Sequence, residues 1–277
     1  KHCYVSNAPN YGMNPLRQAV LRPFLRDGLL TAEGDIWKTA RKAVSPVFTP
    51  RKVNGFAPQI RSVCETTVDG LTARDGDIIS VSDLMVELTL DVLMETLFSG
   101  DDALYKARFT AGICELLEIS GIPHLFDLAH FPGWIPRIGQ GKSRKVIKDL
   151  RQQVGDVAAA RRAAPSPEAS GRTPDFLGLL LGAELDDTAV IDNLLTFLAA
   201  GHETTARSLA WTLYLLSRDP VSLERLEGEI DGADLAGAEP SDWSRLLPFT
   251  EAVLKESLRL YQSAPMLART SKEWDLV

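Results

Sequence analysis

Leucines recur one helical turn apart in the second half of the chain, at Leu194, Leu195, Leu198, Leu209, Leu213 and Leu216. This spacing predicts a helix from about Thr188 to Arg218, with Asp186 and Asp187 as N-cap candidates and Asp219-Pro220 as the stop. At roughly 1.5 Å per residue such a helix reaches about 45 Å, the width of a whole domain. Because it is apolar on most faces, it is expected to be buried. Further apolar or amphipathic periods predict helices over Asp83–Phe98, Ala103–Ile119 and Lys142–Arg162, and a short one over Asp242–Leu247. Pro- and Gly-rich stretches predict loops over 121–141 and 228–240, and APSPEASGRTP after Arg162 reads as a connector. Only Asp77–Val81 and the last few residues read as strand, so the pattern predicts a mostly α fold with a small sheet and no internal repeat.

Within the long helix a second stripe runs along Phe197, Gly201, Thr204 and Ser208, spaced four, three and four apart and therefore on one face. Glycine inside a helix costs about 1 kcal/mol relative to alanine, and a threonine hydroxyl can bond back to the carbonyl four residues earlier, loosening the ladder. The hexamer AGHETT, Ala200–Thr205, thus gives a small, slightly distorted face with a proton donor at hand. Such a face leaves room for a flat group. Close helix packing at Gly201, a self-satisfied Thr204 and a solvated Glu203 explain the hexamer equally well.

Two metal readings fail on spacing. A zinc-binding HExxH needs a second histidine where Ala206 stands. The pairs Asp101-Asp102 and Asp186-Asp187 lack the third carboxylate of a magnesium-binding DDxxD, because Tyr105 and Val190 occupy those positions.

Composition narrows the class. With 45% hydrophobic residues among 277, the chain can bury a sizeable core as one large domain or two. The net charge of −7 argues against nonspecific nucleic-acid binding, although Lys38, Arg41, Lys42, Arg51 and Lys52 form a local basic cluster. Three cysteines without a pairing pattern point to a reducing, cytoplasmic setting, and Cys3, Cys64 and Cys114 read as small core hydrophobes. No window approaches eighteen uninterrupted apolar residues, so no membrane segment is expected in this chain.

Four segments in order resemble the cytochrome P-450 family, the haem-thiolate monooxygenases. AGHETT resembles its oxygen-binding helix. GDIWKTARKAVSPVF, Gly34–Phe48, resembles its haem-flanking helix, KESLRL carries its ExxR pair as Glu256 and Arg259, and APMLAR, Ala264–Arg269, resembles the strand lining the substrate pocket. Each has a physical reading of its own. Trp37 and Arg41 lie four apart, so an indole N–H and a guanidinium can donate to one carboxylate, although a plain amphipathic helix uses the same pair. Glu256 and Arg259 are three apart, where an exposed pair is worth only about 0.2 to 0.5 kcal/mol.

The resemblance implies a partial P-450 fold over residues 1–277, a single partial domain of mostly α structure with a long central helix and a small sheet. It implies haem (iron protoporphyrin IX) as cofactor with O2 as co-substrate. Trp37 and Arg41 would hold a propionate, with Ala200, Gly201, Thr204 and Arg269 also at the haem. Glu203 and Thr204 would be the catalytic proton carriers, and Glu256 with Arg259 a buried structural pair. Phe197, Pro265, Met266 and Leu267 would touch an apolar organic substrate, and Gln262 stands where many relatives have proline. Electrons would come from a ferredoxin or a flavin reductase steered by the basic cluster. The family's iron ligand, a cysteine in a loop close to FxxGxRxCxG, is expected beyond Val277, so no metal ligand is assigned in this chain, which is read as an internal segment inactive by itself. The other readings left open are a non-catalytic helical binding or scaffold protein built on the same fold, and an unrelated helical protein.

Overall fold

The structure is a computed structural model that describes residues 1–98, 111–113, 115, 140–163, 175–183, 185–235, 237–239 and 242–276. Its helices are α1 (Pro15–Leu25), α2 (Gly34–Val44), α3 (Pro50–Asn54), α4 (Ala57–Thr72), α5 (Val81–Phe98), α6 (Gln140–Ala163), α7 (Phe176–Leu181), α8 (Asp187–Arg218), α9 (Pro220–Gly232), α10 (Trp243–Leu246) and α11 (Pro248–Leu260). Strands β1 (Tyr11–Met13) and β2 (Arg269–Ser271) pair antiparallel with Gly12 opposite Thr270. The residues fall into two compact units: 1–47, 97–199 and 266–277 in one, 48–96 and 200–265 in the other.

In the first unit, α6 buries Val146, Leu150, Val154 and Ala158, four residues apart and hence on one face. Each fully buried aliphatic side chain of leucine size contributes about 1.5 to 3 kcal/mol. The N-terminal half of α8 is enclosed, with Val190, Leu194, Leu195 and Leu198 at or near zero exposure. Polar anchors fix it there. Asp192, 2% exposed, pairs with Arg151 and accepts the Asp27 amide at 3.2 Å, and Asn193 Oδ1 accepts the Leu29 amide at 3.1 Å. Asp186 caps the helix by accepting the Ala189 amide at 2.7 Å.

In the second unit, α5 buries Met85, Leu90 and Met94, while Thr89 donates to the His202 carbonyl at 3.0 Å. Asp219 ends α8 and caps α9, accepting the Ser222 amide at 3.3 Å, with Pro220 at the first helical position. Glu229 of α9 caps α11, accepting the Phe249 and Thr250 amides at 2.7 and 2.8 Å.

Several expectations are corrected. The long helix is enclosed chiefly in its first half; beyond it His202, Ala206 and Leu216 stay buried, but Trp211, Leu213 and Tyr214 are 40%, 45% and 52% exposed, with only the Tyr261 ring laid over Trp211 among the described residues. The expected strand at Asp77–Val81 does not form: residues 77–80 carry no regular structure, α5 begins at Val81, and Ile78 is fully exposed with no strand beside it among the described residues. Gly228 lies inside α9, since one glycine costs the helix only about 1 kcal/mol. Cys3 and Cys64 are half-buried free thiols rather than core residues, and burial raises the Cys64 thiol. Of the expected 103–119 helix, only Ala111–Ile113 and Glu115 are described, and they are helical. Cys114, the 164–174 connector, the Asp101-Asp102 pair and most of the 121–141 loop lie outside the described residues.

Candidate functional site

The small-residue stripe of α8 is built by carbonyls that take side-chain hydroxyls in series. Thr204 Oγ1 donates to the Ala200 carbonyl at 2.7 Å, Ser208 Oγ to that of Thr204 at 3.0 Å, and Thr212 Oγ1 to that of Ser208 at 2.7 Å. Each such bond competes with the helical amide for its carbonyl and favours bending. The stripe opens on a groove of about 730 Å³ lined by Thr204, Thr205, Ser208, Leu209 and Thr212 of α8, Leu254 and Leu258 of α11, and Gln262, Ser263 and Ala264 beyond it. Thr204 is half-buried on its wall.

Its neighbours are engaged locally. A Cβ at Gly201 would lie 3.1 Å from both terminal carbons of Leu93, so the absent side chain lets α5 approach α8 at that point. Glu203 pairs with Arg207 one turn later, 3.0 Å from its Nε. Ala200 is exposed.

Glu256 and Arg259 form the expected pair in two-pronged geometry, with Arg259 Nε at 2.8 Å and a terminal nitrogen at 2.6 Å from the two carboxylate oxygens. These bonds hold the Glu256 carboxyl below its ordinary range. The expected burial is corrected: the side chains are 55% and 66% exposed, because the face of α11 that carries them is uncovered among the described residues. Leu254, Leu258 and Leu260 are also exposed on this helix. Pro265, at the end of this unit, is exposed as well.

In the first unit, α2 presents Trp37 and Arg41 outward, Trp37 at 41% exposure. Neither the indole N–H nor the guanidinium has a hydrogen-bond partner among the described residues, so both donors of the pair are available to an anionic group. Lys38 and Lys42 are exposed on the same helix, and Lys38 pairs with Asp35 at 2.9 Å. Arg51 and Lys52 are exposed on α3, in the other unit. Arg269 starts β2 with its guanidinium 5.3 Å from the Tyr4 ring centre. Met266 and Leu267 stand 85% and 63% exposed, and the Leu267 carbonyl accepts the Tyr4 hydroxyl at 2.7 Å. Phe197 is half-buried and packs edge-on against Phe176 at 4.7 Å between ring centres.

Several residues at the groove were not singled out from the sequence, among them Thr212, Leu254, Leu258 and Ser263. Ser263 donates to the Thr204 carbonyl across 59 positions of sequence, and no local periodicity signals such a bond.

The donor sets fit haem in each unit taken separately: unpartnered indole and guanidinium donors for a propionate, and a hydroxyl on the wall of a partly apolar groove. Among the described residues no group of three or more His, Cys, Asp or Glu is placed to hold a metal ion, and no helix is long and apolar enough to cross a membrane.

Comparison with known proteins gives the family and the fold. The family model described as Cytochrome P450 matches residues 5–277, spanning both units. The chain is 29% identical over 262 residues to a bifunctional cytochrome P450/NADPH–P450 reductase of Gibberella moniliformis, covering 89% of this chain and 23% of that protein. It is 28% identical over 297 residues to the chloroplastic protein LUTEIN DEFICIENT 5 of Arabidopsis thaliana, covering 100% of this chain and 49% of that one. The crystal structure of the cytochrome P450DA heme domain superposes with a TM-score of 0.81 at 23% identity, covering 99% of this chain and 61% of that structure, which shows the fold. The chain thus spans half or less of the length of these two relatives.

Proposed function

Because this chain belongs to the cytochrome P450 family, we propose that it forms part of a haem-dependent monooxygenase that inserts one oxygen atom of O2 into an apolar organic substrate. When bound, haem supplies the iron at which dioxygen is activated for insertion into a C–H bond. Trp37 and Arg41 hold a propionate, and Arg269 adds a second cationic contact. Ala200, exposed on α8, would give the flat group a small face, whereas the space of the missing Gly201 side chain is taken up by Leu93 of α5. Phe197, Pro265, Met266 and Leu267 offer apolar surface to the substrate.

The observation that carries this reading is the Thr204 hydroxyl. Its one proton is parked on the Ala200 carbonyl, its oxygen keeps two lone pairs for accepting, and it lines the groove. Such a group releases its proton at Oγ1 when a better acceptor arrives and takes another from a neighbouring donor. Glu203, one residue away and paired with Arg207, would first take up a proton from water and then pass it on, as the carboxyl of the relay. Electrons come from a redox partner, and Lys38, Arg41 and Lys42 on α2 favour an acidic face on a ferredoxin or flavin domain.

In the enzyme expressed from its complete reading frame, Thr204→Ala is expected to keep its haem while most reducing equivalents go to peroxide. Full coupling in that variant refutes the role of Thr204. Trp37→Ala with Arg41→Ala is expected to lose most haem occupancy, and an unchanged Soret absorbance per protein refutes the propionate assignment.

A second reading has its own support, since Gly201 is packed on Leu93 and both Glu203 and Thr204 are satisfied within α8. On that basis the chain is a non-catalytic helical scaffold of the same fold. It is separated from the first by whether the purified protein takes up haem with a thiolate-type carbonyl spectrum.

A further inference from the structure

Two serines converge on the backbone of Thr204. Ser263, in the loop leaving α11, donates from Oγ to the Thr204 carbonyl at 2.8 Å, and Ser208, one turn further along α8, reaches the same oxygen at 3.0 Å. The two hydroxyl oxygens are 2.7 Å apart. Each hydroxyl has one proton, so two protons serve three contacts. Whichever serine donates to Thr204, the other can donate to its companion, so two of the three contacts carry a proton in either arrangement. Ser208 belongs to the helix and moves with it. Ser263 comes from outside and is therefore the group that references Thr204 to the rest of this unit.

The loop that carries Ser263 is itself held. Tyr261, two residues earlier, stacks on Trp211 of α8 with ring centres 4.0 Å apart and planes within 5°. A carbonyl drawn toward an external donor tilts its peptide plane away from the helical amide and bends the helix locally, and that bend shifts the Thr204 Cα together with the side chain it carries.

We propose that Ser263, working with Ser208, is a positioning residue that clamps the Thr204 carbonyl and so aims Thr204 Oγ1 into the groove. This rests on the reading of Thr204 as the residue that moves the proton. Ser263 touches no reacting atom. Its hydroxyl governs how often the Thr204 hydroxyl is presented, and hence the partition of electrons between product and peroxide rather than haem content.

The test compares Ser263→Val with Ser263→Thr, which have the same shape as each other and differ in that only the threonine keeps the hydroxyl, alongside Thr204→Ala. Two quantities are read: hydrogen exchange of the 204–208 amides in the haem-free protein, and peroxide formed per reducing equivalent in the haem-loaded one. In Ser263→Val, exchange at 204–208 is expected to quicken several-fold while the rest of the protein is unchanged. Peroxide is expected to rise at constant Soret absorbance per protein, and Ser263→Thr to restore both. Added to Thr204→Ala, Ser263→Val is expected to raise peroxide no further. If Thr204→Ala is uncoupled but Ser263→Val matches the parent in both readouts, the clamp is wrong and the Thr204 reading stands. A Ser263→Val protein that exchanges faster everywhere or loses its haem also overturns the clamp, since the hydroxyl then serves the fold at large. Full coupling in Thr204→Ala overturns both readings, whatever the exchange data show.

Discussion

Replacing Asp192 with alanine removes the acceptor that joins α8 to two other parts of the first unit. Arg151 of α6 pairs with one carboxylate oxygen, and the amide of Asp27 donates to the other at 3.2 Å. The Arg151 side chain is 10% exposed and that of Asp192 3%, so the guanidinium left behind has little access to water; its other contact is the Phe24 carbonyl at 3.3 Å. A charge stranded in this way costs about 3 to 5 kcal/mol. The Asp27 amide adds little, because that residue is only half-buried and water can replace the lost acceptor. Against a total stability of about 5 to 15 kcal/mol this is a large fraction. With a urea slope of about 2 kcal/mol/M, the midpoint of the unfolding transition should fall by roughly 2 M. The double variant Asp192→Leu with Arg151→Met removes both charges and should recover most of that loss, since an apolar replacement of a buried pair is often neutral or better. A fall of less than about 1 kcal/mol in Asp192→Ala would refute the argument. So would a double variant as damaged as the sum of its two singles, because the energy would then lie in packing rather than in the pair.

Two further outcomes follow from the first unit. A Cβ at Gly28 would sit 2.6 Å from the Asp192 carbonyl oxygen and 2.1 Å from Thr196 Oγ1, so Gly28→Ala must push the backbone of α8 aside; it is expected to cost about 1 to 3 kcal/mol, and an unchanged urea midpoint would show that the turn yields freely. Asp275 is held at about 2, first by the Tyr11 hydroxyl at 2.7 Å and then by His2 at 2.8 Å. A folded value below the unfolded one of about 3.9 means that its stabilisation is complete above that pH and is lost as pH falls toward 2. The difference in thermal midpoint between the parent and Asp275→Asn should therefore shrink between pH 5 and pH 2, and a constant difference would remove the carboxylate from the account.

What the sequence could reveal follows from the range of the forces involved. The leucine period and the aspartate caps located α8 to within one residue at its start, and the spacing of Glu256 and Arg259 foretold a pair that does form, because both are decided within a few turns of one helix. That Trp37 and Arg41 share one face of α2 was legible for the same reason, while their exposure was not. Asp77–Val81 misled because two isoleucines and a valine favour a strand only where a neighbouring strand can accept them, and Ile78 has none among the described residues. The real sheet joins Tyr11–Met13 to Arg269–Ser271, too short to show alternation and more than 250 positions apart. Ser263 was invisible at the candidate site because its partner is a backbone carbonyl 59 residues away, a choice no residue pattern encodes.

The two halves of α8 also differ in what their polar residues achieve. In the first half, Asp192 and Asn193 bond outward to an arginine and to loop amides, so their burial is repaid by anchoring. In the second half, the hydroxyls of Thr204, Ser208 and Thr212 all turn back on the helix that carries them. Alanine at these positions would form the better helix by up to about 0.7 kcal/mol per residue and would leave the carbonyls to their normal amide partners. Helix stability therefore does not account for three hydroxyls on one stripe. Close packing does not account for Thr204 and Ser208 either, since both are half-buried at an open groove, while Thr212, 6% exposed, ends the stripe in packed surroundings. A hydroxyl side chain there is useful for what its proton can do, and a carbonyl that takes an added donor bends the helix where that side chain is carried. Those two roles meet at Thr204, whose own hydroxyl is parked on Ala200 and whose carbonyl is clamped by Ser208 and Ser263.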